Sequence, residues 1–415
     1  MSALKDTVDG YALVPASEAQ DLIATQREWV EWGHPLLTQD QFITREKDVL
    51  GTSDFSVTRR RRWVLVPADD TQTLDFLAGC ETYRRPILVR RGGGEVQRAL
   101  SYSVCSVFVP EDKRRHGYAA KMMTLLQHRL NPAGCVPPPL DRGSLQDSRS
   151  LTVPLDDPSS ELDDDGAYRG NATCSFLYSD IGEYYSQFAW TVVGNRHVQW
   201  APSTSSADLP ADARWLTADE LNTIGRIDRA HLLSTLQTSS SPALRFCLDD
   251  PEATSWRWLI RRTNFYATTL LPSSAPKPTH FGLLLPGSSQ ADASYAVWMF
   301  DFIERKVAIL RLRFTSASTF TMLVGAVRAQ AAEFGMQKCL AWNIDLPSLG
   351  IELSDEDEAM LKQGEAVDRH KDALAHGEVV ERHGKSASLP ALAWYADKAE
   401  GERVEWVCNE YGWWC

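Results

Sequence analysis

Residues 104–126 constrain the fold more than any other part of this 415-residue chain. They read VCSVFVPEDKRRHGYAAKMMTLL: an apolar stretch typical of a strand, a charged turn, and then a run with the apolar spacing of a helix. The basic pair Arg114-Arg115, His116 and Gly117 stand directly before that helix. The segment therefore predicts a strand, a cationic turn and a helix N-terminus side by side.

A helix N-terminus beside a basic turn is suited to bind a concentrated negative charge such as a pyrophosphate. The first backbone N–H groups of a helix have no partner inside it, and the helix dipole is positive at that end. Gly117 removes the Cβ that would keep the backbone away from a phosphate, and Ala119 keeps the next position small. Arg114 and Arg115 add positive charge.

The pattern Arg-x-x-Gly-x-Ala between a strand and a helix resembles the acyl-CoA pyrophosphate loop of the GCN5-related N-acetyltransferases, the GNAT superfamily. An ordinary strand, turn and helix with a basic surface turn is the alternative. The resemblance implies acetyl-CoA as the co-substrate. The residues that it implies for CoA binding are Phe108, Val109, Arg114, Arg115, His116, Gly117, Tyr118, Ala119 and Ala120.

The rest of the first half has the element order of the same fold. The pattern predicts a strand at 11–15, a helix after a cap formed by Ser17 and Gln20, and a second helix near Thr38. The strands predicted after these helices are 63–66, 73–82, 87–89 and 101–109.

An aromatic cluster after the next predicted strand, 173–178, resembles the Tyr-x-x-x-Gly-Phe segment of the family. Tyr185 takes the tyrosine position, Ala189 stands where glycine is usual, and Trp190 stands for the aromatic. In the family this tyrosine often protonates the leaving thiolate, and a phenol with a pKa near ~10 is suited to that transfer. Core packing is the alternative role for Tyr185, and Tyr184 is the second candidate for the acid.

The second half of the chain has a similar order of elements. The predicted elements are a helix at 217–236, strands at 256–267, 281–285, 296–304 and 306–314, a helix at 319–334, a strand at 338–344 and final strands within 391–415. This order resembles a degenerate second copy of the fold. It lacks Arg-x-x-Gly-x-Ala, so we expect no CoA there.

The fold class is therefore predicted as α+β: a GNAT fold, with a mixed and mostly antiparallel sheet flanked by helices, followed by a second GNAT-like domain. The predicted domains are 1–195 and 211–415, joined by a linker at 196–210. Residues 131–170, rich in Pro, Ser and Asp, are predicted as an inserted surface loop.

Composition excludes several other classes of protein. The net charge of −12 makes the whole chain a poor nucleic-acid binder. No apolar run reaches the ~18 residues that span a membrane, and the N-terminus has no secretory pattern. Eight scattered cysteines without Cys-x-x-Cys or Cys/His spacing favour reduced thiols, a cytoplasmic protein and no metal site. The sequence leaves open whether the protein forms a homodimer.

The layout as a whole resembles the fungal lysine N-acetyltransferases of lysine catabolism. The residues that carry this likeness are CETYRRP at 80–86, the loop described above, LYSDIGEYY at 177–185 and the aromatic terminus YGWWC at 411–415. The resemblance implies direct transfer, in a ternary complex, of an acetyl group from acetyl-CoA to the side-chain amine of free L-lysine.

Such a reaction needs a base for the amine and a donor for the thioester oxygen. Glu81 is the favoured base, with an ion pair to Arg84 or Arg85 as its alternative role. The terminal carboxylate of Cys415 is a second candidate, because in some relatives with an added C-terminal domain the chain end reaches the catalytic centre. The family places the oxygen donor in the fourth strand, hence on a backbone N–H of residues 107–109.

Two rival functions stay open from the sequence. One is acetyl transfer to another amine: a protein lysine or N-terminus, a polyamine, or an aminoglycoside. The other is a noncatalytic acyl-CoA-binding protein.

Overall fold

The computed structural model describes residues 7–8, 10–131, 152–155, 170–205, 208–396, 398 and 401–415. Most of the predicted insertion at 131–170 lies outside the described residues. The described residues form two β-sheets, one of eleven strands and one of seven.

The strands, numbered along the chain, are bounded as follows. They are β1 Thr7–Val8, β2 Tyr11–Pro15, β3 Arg60–Pro67, β4 Ala78–Arg91, β5 Gln97–Phe108, β6 Thr152–Pro154, β7 Cys174–Ile181, β8 Thr191–Val192, β9 Arg196–Trp200, β10 Arg214–Leu216, β11 Leu244–Leu248, β12 Gly282–Leu285, β13 Ser294–Asp301, β14 Lys306–Arg313, β15 Lys338–Trp342, β16 Glu378–Glu381, β17 Lys385–Trp394 and β18 Val404–Trp406.

The helices are bounded in the same way. The α-helices are α1 Glu18–Trp32, α2 Gln39–Thr44, α3 Tyr118–Leu130, α4 Leu221–Thr238, α5 Thr254–Leu270, α6 Ala317–Glu333 and α7 Asp355–Lys362. A π-helix, Arg45–Leu50, continues α2, and short 3-10 turns include Glu111–Lys113, Tyr184–Phe188 and Tyr411–Trp413.

The first sheet has the order β1-β2-β3-β4-β5-β7-β17-β8, with β6 beside β5 and β11 between β4 and β18. Its neighbours in that order are antiparallel except β5 and β7, which run parallel and are joined through α3. Parallel neighbours need such a crossover connection, and α3 covers the sheet with buried side chains that include Met122, Met123 and Leu126.

The second sheet repeats this plan. Its order is β10-β12-β13-β14-β15-β9-β16, and the parallel pair β14 and β15 is joined through α6. The two strand–helix–strand units, β5-α3-β7 and β14-α6-β15, have the same arrangement. The predicted fold class, a mixed sheet flanked by helices followed by a second α+β unit of the same kind, is confirmed.

Several local predictions are confirmed by the hydrogen bonds that begin the helices. Ser17 and Gln20 form the reciprocal cap of α1, and Thr38 and Gln41 form the same cap on α2. The strand at 11–15 has the predicted bounds. Because β4 continues unbroken from Ala78 to Arg91, the two strands predicted at 73–82 and 87–89 are one.

The predicted strand at 256–267 is wrong, because these residues lie in α5. Its aromatic and β-branched residues suggested a strand, but the buried positions follow the helical spacing. They include Trp256, Leu259, Ile260, Thr263 and Ala267.

The boundary between the two halves also differs from the prediction. The predicted linker at 196–210 contains β9, a strand that pairs with both β15 and β16 and buries Val198 and Trp200. Strands β11, β17 and β18, which come late in the sequence, return to the first sheet. The division into domains 1–195 and 211–415 therefore stays a prediction, because the first sheet contains strands from both halves of the sequence.

The parallel strands of the second sheet separate at their C-terminal ends. Their last paired residues are Ile309 and Ala341, although β14 continues to Arg313. The C-terminal segment 409–415 packs at this separation, where the 3-10 turn Tyr411–Trp413 contacts β14.

The contacts of this segment are those of a firmly docked chain end. Glu410 Oε2 accepts a hydrogen bond from the backbone N–H of Leu312 at 2.8 Å. The Tyr411 ring centroid lies 4.3 Å from that of Trp342. A docked, aromatic terminus is what the composition of residues 411–415 predicts.

An ion-pair network holds Glu410 from the other side. Arg311 bonds to Glu410 and places its Nε 2.8 Å from Asp228 Oδ1 on α4, and Tyr295 donates to the same Asp228 oxygen. All four side chains are buried. Burial raises the pKa of the Glu410 carboxyl to about 7, although the positive charge of Arg311 acts to lower that pKa.

We predict that Gly412→Ala destabilises the protein because the docked segment leaves no room for a methyl group. A Cβ at residue 412 would lie 2.6 Å from the Leu310 carbonyl oxygen and 2.5 Å from Trp256 Nε1. Overpacking of this kind costs about 1–3 kcal/mol of unfolding free energy. Denaturant unfolding measures it against Gly93→Ala, where a Cβ meets nothing within 4 Å. Equal stability of the two variants would contradict the packing described.

Candidate active site

The parallel strands β5 and β7 separate at their C-terminal ends, as β14 and β15 do. Their last paired residues are Val104 and Leu177, although β5 continues to Phe108 and β7 to Ile181. A strand that loses its neighbour presents unpaired backbone groups at that edge. This gap is therefore a candidate location for the reacting end of a substrate.

A β-bulge lies on β5 at this gap. Between Gly79 and Glu81 of β4 the register shifts, so that one residue of β4 faces two of β5. Ser106 on the bulge has a φ of +51°, a left-handed backbone that non-glycine residues seldom adopt. A bulge takes backbone groups out of the ladder and redirects them. Residues 107–109, predicted to supply the donor for the thioester oxygen, follow directly.

The turn after β5 ends in a helix N-terminus with unused donors. Gly117 precedes α3 with a φ of +77°, and no side chain caps the helix. Lys121 N–H is the first to bond back, to the Gly117 carbonyl oxygen. Within the described part of the chain, the backbone N–H groups of residues 115–120 donate no hydrogen bond, and the first turn carries no acidic residue.

The two arginines of the turn have different environments. Arg114 folds back on the protein, with Nε 3.0 Å from the Val109 carbonyl oxygen and Nη2 3.3 Å from Glu31 Oε2. Arg115 is exposed, has a φ of +70°, and contacts no partner among the described residues. Arg114 therefore braces the turn, whereas Arg115 is free to meet a ligand.

The remaining predicted loop residues surround this terminus. The His116 and Tyr118 rings lie 5.7 Å apart, and Tyr118 packs edge-on against Tyr11 at 5.6 Å. Ala119 and Ala120 are half-buried in the first turn of α3.

A pyrophosphate fits the groups found here. A Cβ at Gly117 would meet no protein atom within 4 Å, so the space over the terminus is open to a ligand. Six unused N–H groups (residues 115–120), a helix dipole and the cation of Arg115 all favour an anion. The arrangement is chemically suited to hold the diphosphate of an acyl-CoA.

Glu81 lies within β4, directly opposite the bulged strand, and is only 4% exposed. Its Oε1 accepts from Arg60 Nε and lies near Arg62 Nη2, both at 2.7 Å. Its Oε2 faces the hydroxyl of Ser106 at 3.3 Å and the Cys105 thiol at 3.9 Å. The ion-pair partners predicted for it were Arg84 or Arg85, but the structure pairs it with arginines of β3.

These arginines determine the protonation of Glu81. Burial acts to raise the pKa of the Glu81 carboxyl, but Arg60 and Arg62 outweigh it and hold that pKa below its ordinary value. A carboxylate kept ionised by two cations is a weak base. Glu81 is well suited to fix the bulge through Ser106.

Cys415, the last residue, lies against β5 beside the bulge. Its side chain packs against the same hydrophobic cluster as Cys105 on β5 and Tyr178 at the end of β7. Glu81 Oε2 lies 3.9 Å from the Cys105 thiol, so the structure places two of the predicted catalytic residues, Glu81 and Cys415, in the same part of the molecule.

Arg85 holds the terminal segment from the side of the first sheet. It is 2% exposed and its Nη1 donates to the Trp413 carbonyl oxygen at 3.4 Å. Its guanidinium lies 4.9 Å from the Phe55 ring centroid and 5.7 Å from that of Trp413. Its Nη2 has no hydrogen-bond partner among the described residues. A buried cation without a carboxylate partner favours a negative charge at the nearby chain end.

Tyr185 lies in the 3-10 turn after β7 and is 8% exposed. Its ring packs edge-on against Tyr184 at 5.2 Å, and among the described residues its hydroxyl has no hydrogen-bond partner. Burial raises the pKa of Tyr185 well above its ordinary value, and Tyr184 and Cys80 add to this shift. The phenol is therefore protonated at neutral pH, as a proton donor must be.

The structure explains the glycine preference at position 189. Ala189 ends the turn that carries Tyr185, with a φ of +70°. Glycine adopts this backbone without strain, whereas the Cβ of alanine crowds it.

Sequence reasoning missed several residues of this site: Arg60, Arg62, Arg85, Ser103 and Cys105. The alternation of Arg60 and Arg62 on β3 was a usable signal, because it places both side chains on one face beside Glu81. The packing of Cys105 and Cys415 against one hydrophobic cluster joins distant parts of the sequence and has no local signal.

Metal and membrane features are absent from the residues that the structure describes. No group of three His, Cys, Asp or Glu side chains there is arranged to hold a metal ion. No helix in that part of the chain is both long and apolar enough to cross a bilayer. The cysteines described are all free thiols.

Comparison with known proteins gives one family and several relatives. The family described as "LYC1 GNAT-like C-terminal domain" matches residues 197–415. A lysine acetyltransferase of Yarrowia lipolytica is 22% identical over 417 residues, which cover 93% of this chain and 95% of that protein.

Solved structures of GCN5-related N-acetyltransferases are also similar. The enzyme of Kribbella flavida aligns with a TM-score of 0.44 and 14% identity, over 93% of this chain and 72% of that one. The enzyme of Anabaena variabilis aligns with a TM-score of 0.44 and 12% identity, over 92% and 72%.

We predict that Ala189→Gly stabilises the protein. It removes about 1–2 kcal/mol of left-handed strain, and the more flexible unfolded chain offsets about 0.4–1 kcal/mol of that gain. Thermal unfolding measures the result against Ala329→Gly within α6, which is expected to lose about 1 kcal/mol. If both variants lose the same amount of stability, the backbone at residue 189 is not strained.

Proposed function

This chain belongs to the LYC1 GNAT-like family and is an acyl-CoA-dependent N-acetyltransferase, and we propose that it transfers acetyl from acetyl-CoA to the side-chain amine of free L-lysine. The observation that carries the proposal is the open helix N-terminus at Gly117, which follows the end of β5, where β5 is no longer paired with β7.

Acetyl-CoA would bind with its diphosphate at the N–H groups of residues 115–120 and the side chain of Arg115. Its pantetheine arm would follow the exposed edge of β5 past Phe108 and Val109, where backbone groups are unpaired. The thioester oxygen would then meet a backbone N–H after the bulge at Ser106. A donor fixed before the reaction stabilises the oxyanion without reorganisation.

The acceptor proposal rests on two supports. The relative from Yarrowia lipolytica carries the name lysine acetyltransferase, a name that fits free lysine or a lysine within a protein. The terminal segment packs against the same hydrophobic cluster as Cys105 on β5, where it would narrow the approach to a thioester bound at the gap. A single amino acid passes such an approach more readily than a peptide does.

We propose the terminal carboxylate of Cys415 as the base, rather than Glu81. A lysine amine has a pKa near ~10.4 and must lose a proton before it attacks. One oxygen of Glu81 bonds to two arginines, whereas Arg85, whose Nη2 has no partner among the described residues, donates to the terminal segment at Trp413. Glu81 would act as a positioning residue that holds Ser106 and the bulge.

The proposed reaction has one covalent step. The neutral amine attacks the thioester carbonyl carbon, and its proton passes to the carboxylate of Cys415, directly or through water. The carbon–sulfur bond then breaks, and Tyr185 donates its phenolic proton to the leaving thiolate of CoA. Direct attack predicts intersecting initial-rate plots. Parallel plots, the sign of an acyl-enzyme on a thiol, would contradict it.

We also propose that the protein serves lysine catabolism in the cytoplasm, as the family likeness implies. The proposed role in lysine catabolism depends on free lysine being the acceptor. That role fails if free lysine is not a substrate.

The test of the acceptor is CoA release from acetyl-CoA with a panel of amines: free L-lysine, polyamines, an aminoglycoside and a histone peptide. We expect N6-acetyl-lysine, identified by mass spectrometry, at a rate well above that of the other acceptors. Faster turnover of a peptide or a polyamine would replace free lysine as the substrate and leave the acetyltransferase assignment in place.

Gly117→Leu is expected to weaken CoA binding by about a hundredfold, or roughly 2.8 kcal/mol. The new side chain would fill the space over the helix terminus. Gly335→Leu is the matched control, because Gly335 has a φ of +66° and the same open surroundings far from the site. Calorimetric titration with CoA distinguishes them. Equal affinities for CoA would remove the diphosphate from this loop.

Tyr185→Phe is expected to lower kcat by about a hundredfold, the scale of general-acid catalysis. The affinity for acetyl-CoA should stay close to that of the parent, because the lost hydroxyl acts only as the thiolate leaves. Tyr184→Phe is the paired variant on the same turn, and we expect it to retain most of its kcat. A reversal of this order would transfer the acid role to Tyr184.

A further inference from the structure

A cavity of about 400 Å³ lies between the first sheet and α4. The residues that line it are Arg98, Leu155, Arg226, Arg229, Asp249 and Pro251. Its volume is within the range of small-molecule sites. Arg98 stands near the start of β5, whereas the CoA loop follows the end of that strand, roughly 33 Å away at about 3.3 Å per residue. The cavity is therefore separate from the candidate active site.

The strand register places Arg98 and Asp249 on the same face of the first sheet. Arg98 pairs with Leu88 of β4, and Leu88 pairs on its other side with Cys247 of β11. Paired residues of neighbouring strands project to the same face, and so do residues two apart on one strand. Asp249 continues the ladder two residues beyond Cys247, where its N–H donates to the Pro86 carbonyl oxygen at 2.9 Å. Both charged side chains therefore project to the face that α4 covers.

Helix α4 supplies the opposite wall of the cavity. Leu232 of α4 belongs to the buried cluster on this face of the sheet, and Arg229 lies one helical turn before it on the same side of the helix. Arg229 Nε donates to Asp249 Oδ1 at 2.9 Å. Arg226, a turn earlier, is exposed and is already paired with Glu252. The groups left to meet a ligand are therefore those deeper in the cavity.

Two of these groups have opposite charge and unused hydrogen-bonding capacity. Within the part of the chain that the structure describes, the Arg98 side chain makes no hydrogen bond or ion pair. Asp249 Oδ2 accepts no hydrogen bond there either, although the Asp249 side chain is only 9% exposed. Burial raises the pKa of the Asp249 carboxyl even against the charges of Arg229 and Arg98, so these cations do not fully compensate this carboxylate.

We propose that this cavity binds a free α-amino acid with an apolar side chain. The carboxylate of the ligand would bond to Arg98, because a planar guanidinium matches a carboxylate in a bidentate pair. The ammonium group of the ligand would donate to Asp249 Oδ2. The apolar side chain would lie against Leu155 and Pro251. A ligand with both charges satisfies both unused groups, whereas a simple anion or a simple amine leaves one of them unpaired.

Calorimetric titration of the full-length protein, without acetyl-CoA, tests this site with L-leucine, L-isoleucine, L-methionine and L-phenylalanine. We expect at least one of them to bind at one site per chain. An analogue that lacks one charged group should bind about tenfold more weakly or worse. For L-leucine these analogues are isocaproate and isoamylamine. If none of the four amino acids binds, or if an analogue binds as tightly as its parent, the proposal is wrong.

Variants of the two charged groups locate the binding. Arg98→Gln should raise the dissociation constant of the amino acid about tenfold or more, with an unchanged unfolding midpoint, because Arg98 has no bond in the described structure to lose. Asp249→Asn should weaken binding by a similar factor, and Arg98→Gln alone carries the test if Asp249→Asn does not fold. Arg403→Gln is the matched control, because the Arg403 side chain is 81% exposed, and it should bind as the parent does.

The same titrations separate this cavity from the candidate active site. An affinity that is undiminished in Arg98→Gln would place the amino acid elsewhere in the molecule and would overturn the proposal. Binding at this cavity does not depend on the proposed acetyl transfer. A protein that fails to acetylate free lysine should still bind the amino acid here, and the loss of this binding in Arg98→Gln should leave the affinity for CoA unchanged.

Discussion

The buried ion pair of Arg311 with Glu410 fixes the end of this chain, and the geometry of the candidate active site depends on it. Arg311 also bonds to Asp228 on α4, so two carboxyl groups share its single positive charge. Removing one partner of a buried pair costs about 3–5 kcal/mol, because the remaining charge stays in the interior. Cys415 lies five residues beyond Glu410, so this anchor limits where Cys415 can lie.

The terminal segment connects the two separations in the sheets. It packs where β14 and β15 diverge, through Glu410 and Tyr411, and its Cys415 packs against the same cluster as residues at the ends of β5 and β7, where those strands diverge. The second sheet thus uses its gap to hold the chain's own end. Because the terminal segment fills the gap between β14 and β15, there is a second reason, beyond the missing loop motif, to expect no CoA in the second unit. The second unit would serve the first by positioning Cys415.

The sequence predicted the elements that depend on neighbouring residues. It did not predict the elements and side-chain pairings that depend on residues far apart in the sequence. The cap formed by Ser17 and Gln20, the turn before α3 and the strand at β2 follow from local chemistry, and each has its predicted form. The helix α5 was mistaken for a strand because its aromatic residues favour both states until the buried face is known. The pairing of Glu81 with β3 needed the strand register, and the packing of Cys105 and Cys415 against one hydrophobic cluster needed the whole fold.

One measurement tests most directly whether the chain end takes part in catalysis. A single glycine appended after Cys415 keeps every side chain but moves the terminal carboxylate by about 3.5 Å along the chain. Steady-state kinetics with L-lysine should show kcat reduced by about a hundredfold, with the affinity for acetyl-CoA and the unfolding midpoint unchanged. If the enzyme with the added glycine kept the kcat of the parent, the result would contradict the role proposed for Cys415 and would make Glu81 the candidate base again.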